Sequence, residues 1–128
     1  MSKKLMALFL VVGSAALGAA MLIGINDNPA GLILAYVAAA SFVLAVAHSW
    51  RKAKPFVMLL VASLVGFPVA ALLHNLLYAV GVAGSGVPGV PQVAEALHVA
   101  FFLAAIFLCP VGVLVGGVGS VVAKVRRN

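Results

Sequence analysis

The chain carries little charge of either sign and almost none that is negative. Only 8% of its residues are charged, and one aspartate, Asp27, and one glutamate, Glu95, are all its acids. So few polar side chains cannot cover a water-soluble globule of 128 residues. Cysteine is equally scarce: Cys109 stands alone, which excludes an intrachain disulfide and a CxxC metal site. No nucleophile has a base at a suitable spacing, and one glutamate with three histidines cannot be sorted into a reaction. An enzyme is therefore not expected.

What the chain has in abundance is apolar sequence: 66% of residues are hydrophobic and the mean hydropathy is +1.29. Four apolar runs lie between polar breaks, predicting helices at about 5–25, 30–50, 56–80 and 92–123. Each run has the ~20 residues that a helix needs to cross ~30 Å of hydrocarbon. Helices are required because lipid offers backbone amides no partners and the runs lack the alternation of a barrel strand. The first run resembles a secretory signal in its basic start and small residues, but its apolar stretch continues through Met21, Leu22 and Ile23, so it is read as a retained span. The predicted fold is an all-α integral membrane protein, a single domain over 1–128, folded as a compact antiparallel four-helix bundle.

The formal charge of +6 does not indicate nucleic-acid binding, because of where the charges lie. All basic residues fall in three places: Lys3 and Lys4; Arg51, Lys52 and Lys54; Lys124, Arg126 and Arg127. In four alternating helices these share one side of the membrane, and Asp27 and Glu95 fall on the other. This positive-inside pattern predicts both termini in the cytoplasm of a prokaryotic cell, with the basic residues acting as topology signals and contacts for anionic headgroups of the surrounding bilayer.

The turn at 26–29, NDNP, predicts Asn28 as an N-cap and Pro29 as the first helical residue. The Gly- and Pro-rich stretch 81–92 reads as an outer loop. Pro68 and Pro110 each remove one helical hydrogen bond and predict bends. Small residues recur at helical spacing: Ala16, Ala20 and Gly24; Ala62, Gly66 and Ala70 leading to His74 and Tyr78; and His98 leading to Ala105, Gly112 and Gly119. Such rows let membrane helices approach closely, consistent with a compact bundle, a homo-oligomer or a larger membrane complex.

One stretch asks a chemical question. QVAEALHVAFF, residues 92–102, places Glu95 and His98 on one helical face, and His74 on the preceding helix falls in the same layer. Tyr36, Asn75 and Tyr78 fall in that outer third as well. One reading is a polar staple in which Glu95 accepts hydrogen bonds from His74 or Tyr36. The alternative is a metal-binding or transport protein in which His74, Glu95 and His98 hold a divalent transition metal. A haem between the two histidines is less favoured, because no Lys or Arg on that side would meet its propionates. His48, beside Trp50, reads as part of an interfacial belt, and Cys109 as a small packing residue. The middle and inner layers offer only Ser14, Ser41, Ser63 and Cys109, too few for a continuous polar path. The leading expectation is a non-enzymatic structural, accessory or self-associating subunit.

Overall fold

The computed structural model describes residues 3–126; Arg127 lies outside the described residues. The chain folds as α1 (Lys3–Ile23), α2 (Pro29–Ala47), α3 (Ala53–Ala83), α4 (Val90–Leu103), a π-helical turn (Ala104–Leu108) and α5 (Cys109–Val125). The last three elements are continuous, so four helical rods result, each long and apolar enough to cross a membrane.

The packing is inverted relative to a soluble protein. Among the described residues, eleven of the thirteen buried hydrophobic ones are alanines, with only Phe107 and Val111 larger, whereas leucines, valines and isoleucines on every rod face outward. Water would penalise that arrangement, and lipid does not: in a bilayer, small residues bring backbones together while large aliphatics meet acyl chains.

Pairing follows the hairpins. Along α1, Gly13, Ala16 and Ala20 are buried, and a Cβ at Gly13 would stand 2.9 Å from the Phe42 ring. Phe9 meets His48 edge-on near one end of this pair. At its other end Gly24, at φ 84°, ends α1. Asn28 then caps α2, accepting from the Ala30 and Gly31 amides at 3.2 and 3.4 Å and donating to the Ile23 carbonyl at 3.0 Å. Gly31 is required there, since any Cβ would fall on the Gly24 carbonyl oxygen.

The second hairpin pairs α3 with α4 and α5 along their whole lengths. Its closest approach is not where the small-residue row of α3 suggests. A Cβ at Gly66 would make only an ordinary 3.6 Å contact with Cys109 Sγ, whereas one at Gly116 would stand 2.7 and 2.8 Å from the Leu60 nitrogen and Phe56 oxygen. Ala62 of that row is exposed. Side chains can yield to an added methyl; backbone cannot.

The hairpins join where α2 meets the π-turn and α5. Tyr36 reaches Ile106 and Phe107, while Leu44 shares a crevice with Leu114. The rods therefore follow the order α1, α2, α4–α5, α3, with α1 packed chiefly on α2. Lys3 lies beside His48, Ser49 and Trp50, and Arg126 shares a crevice with Arg51. The three basic segments thus gather at one end of the molecule, with Asp27 and Glu95 toward the other.

Several helix bounds differ from the sequence reading, three of them for visible reasons. α2 stops at Ala47, where the His48 ring and Ser49 hydroxyl turn back to the carbonyls of Leu44 and Val46. α3 runs on to Ala83 and α4 begins at Val90, so the connecting loop contracts to 84–89, because Gly81 and Pro91 are both compatible with a helix. Proline at the first turn lacks only an amide that would be unpaired anyway. α3 also remains helical through Pro68.

The 31 residues of α3 and the 36 of α4 through α5 make rods of roughly 46 and 54 Å, far beyond a hydrocarbon layer of ~30 Å. The meeting of Tyr36 with Ile106 places the start of α2 roughly level with residue 99. The first turns of α4, with Glu95, thus stand beyond the α1–α2 hairpin.

Candidate functional site

Pro110 has no amide hydrogen, so an α-helix through it would leave the Ile106 carbonyl, four residues earlier, without its donor. The chain answers by widening: the Cys109 amide reaches back five residues to the Ala104 carbonyl, the signature of the π-turn. The Tyr36 hydroxyl, from α2, then donates to the freed Ile106 carbonyl at 3.3 Å. Its ring packs edge-on against Phe107, centroids 4.8 Å apart, and Phe107 is the largest side chain in the buried core. A defect in one rod has become the joint between two hairpins.

Tyr36 is therefore not grouped with the histidines, as sequence depth suggested, but sits at the π-turn. Asn75 is not grouped with them either: it is exposed and donates to the Ala71 carbonyl of its own helix at 2.8 Å.

His74, Tyr78 and His98 do come together. His74 Nδ1 lies 2.9 Å from the His98 carbonyl oxygen. That oxygen can only accept, so His74 carries its proton on Nδ1. The two imidazoles lie 5.0 Å apart, with Phe102 against His74 and Tyr78 stacked on His98 at 5.7 Å. The bond crosses from α3 to α4 and pins them roughly two turns below the loop.

Glu95 contributes less than its rarity suggests. Its Oε2 lies 3.4 Å from His98 Nε2 on the same helix, and its side chain is 69% exposed against 12% for His98. It accepts from neither His74 nor Tyr36, so the cross-helix staple is formed by the His74 ring and a carbonyl, not by the carboxylate. The carboxylate faces away because α4 projects past α2, which leaves no helix to receive it. His98 Nδ1 is buried with no hydrogen-bond partner among the described residues, as is His48 Nε2 at the basic end.

As a metal centre this arrangement is poor. One nitrogen of His74 is held by a carbonyl, Glu95 opens to the outside, and among the described residues no three His, Cys, Asp or Glu side chains are placed to hold an ion. Along the rest of the rods, the buried polar side chains among the described residues are Ser41 and Ser63. Ser63 packs against Gly112 in the α3–α5 contact.

Four rods long and apolar enough to span a membrane, with small residues inside, large aliphatics outside and polar groups turned to backbone carbonyls, define an all-helical, membrane-like protein. No known family matches the sequence, and no curated protein or solved structure matches it.

Proposed function

We propose that this chain is a non-enzymatic membrane subunit that acts by association, first of all with copies of itself, with both termini and the 48–52 turn in the cytoplasm. The observation that carries the reading is the use of the polar side chains within the rods. Tyr36 and His74 bond to backbone carbonyls of a neighbouring rod and Asn75, His48 and Ser120 to carbonyls of their own helices, so among the described residues they leave no assembled set for chemistry or for conducting an ion. What remains is surface. α1 is braced chiefly by α2 and presents Ser14, Ala15 and Gly18 outward, and a Cβ at Gly18 would meet nothing within 4 Å. An exposed small-residue face suits close contact with another helix better than contact with lipid, which has no preference for small side chains.

The test is energy transfer between donor- and acceptor-labelled copies in liposomes as lipid is added. Association predicts transfer that survives dilution well beyond random proximity and falls in Gly18→Leu. Transfer that simply tracks surface density in both proteins would mean that the chain does not self-associate through α1.

A further inference from the structure

At the basic end, the two hairpins do not close against each other. A crevice of about 500 Å³ lies between the end of α2 and α5, with walls from Leu44, Leu114 and Val118 and a mouth formed by Trp50, Arg51 and Arg126. Both arginines are exposed, and the two acids of the chain lie toward the opposite end. The crevice is therefore apolar along its length and positive at its opening, and among the described residues no carboxylate side chain lines it.

That combination matches one kind of molecule closely. A free inorganic anion would find the arginines but gain nothing from the apolar walls, while a neutral lipid would fill the walls and leave the arginines unpaired. We propose that this crevice is a binding site for a single anionic phospholipid, its phosphate held between Arg51 and Arg126 and one acyl chain lying between α2 and α5. Guanidinium groups bind phosphate by paired, charge-assisted hydrogen bonds, and basic pockets between helices on the cytoplasmic side are places where anionic headgroups collect. Trp50 packs on Phe56 with rings 5.2 Å apart, and a tryptophan beside basic residues suits the membrane–water interface. The bound lipid completes the joint between hairpins at the end where Tyr36 does not reach. This inference stands apart from self-association, because the crevice lies on the side of α2 that faces α5, away from α1.

The experiment uses the full chain purified in a neutral detergent, read by native mass spectrometry for retained lipid and by thermal unfolding. Added phosphatidylglycerol is expected to bind with a stoichiometry of one and to raise the melting temperature by mass action. Phosphatidylcholine should do neither. The Arg51→Gln/Arg126→Gln pair should weaken retention by about tenfold or more, the loss expected when charge-assisted contacts to phosphate are removed. Lys54→Gln, which removes one charge at the same end but outside the crevice, should match the wild type. Val118→Trp, which obstructs the apolar wall without changing charge, should also reduce retention. Glycerol phosphate, which carries the headgroup without chains, should give no shift; an equal shift would mean a soluble-anion site and overturn the lipid assignment. Equal binding of phosphatidylcholine, or equal weakening by Lys54→Gln, would overturn it as well, the first by making the arginines irrelevant and the second by reducing the effect to diffuse charge.

Discussion

A helical carbonyl oxygen has two lone pairs, and that of His98 can serve its own helix with one and the His74 ring with the other. Losing the ring leaves the carbonyl with its helical partner, so no buried group is abandoned. His74→Ala should accordingly cost about 1 kcal/mol, the ordinary net worth of such a bond. Glu95→Gln should change stability by less than ~0.5 kcal/mol, since an exposed pair is screened and gains little. Unfolding of both variants in detergent checks the order, and a reversal would mean that the carboxylate, not the ring, carries the contact. Zn²⁺ should leave the wild-type melting temperature unchanged. A rise that disappears in His74→Ala would restore the metal reading, since an ion bound only to the folded state must stabilise it.

At the scale of the helices, Pro110 and Tyr36 form a coupled pair. Tyr36→Phe leaves the Ile106 carbonyl without a donor and should cost about 1 kcal/mol. In a Pro110→Ala background the chain regains the amide that an α-helix would direct at Ile106, so the same change should cost less. A double-mutant cycle in detergent measures the difference; strictly additive effects would show that tyrosine and proline act independently. The two adjacent glycines of α5 make a second contrast. Gly116→Ala forces a methyl against the backbone of α3 and should cost about 1–3 kcal/mol, whereas Gly117→Ala points into open space and should be neutral or slightly stabilising. Equal tolerance of the two would mean that α3 and α5 lie farther apart than described.

These elements also show what a sequence can convey. The rods were legible from run length and the α2 cap from NDNP, because both depend on neighbours along the chain. The i, i+3 spacing put Glu95 beside His98 for the same reason. Proline announced that Ile106 would lack a donor, but not that Tyr36, 70 residues away, would supply one. The exposure of Glu95 depends on how far α4 stands past α2. That offset is set by the register between hairpins, to which no local pattern refers.

For the molecule as a whole, the gathering of basic segments at one end makes orientation a single two-way choice. In a Cys109→Ser background, Ser85→Cys should react with a membrane-impermeant reagent applied outside intact cells, and a cysteine at Lys52 should react only after the membrane is opened. The opposite result would invert the molecule. The order of the rods carries a further consequence. Each hairpin is held by contacts between consecutive helices, and the two halves meet through Tyr36, the π-turn and the apolar seam of α2 with α5. Covalent continuity at 49–52 therefore does little that the seam does not already do. A bacterium given residues 1–50 and 51–128 as separate polypeptides, each with its own start, should rebuild the protein from the pieces, recoverable together through a tag on either one. Tyr36→Phe, tolerable in the unbroken chain, should then let the pieces drift apart.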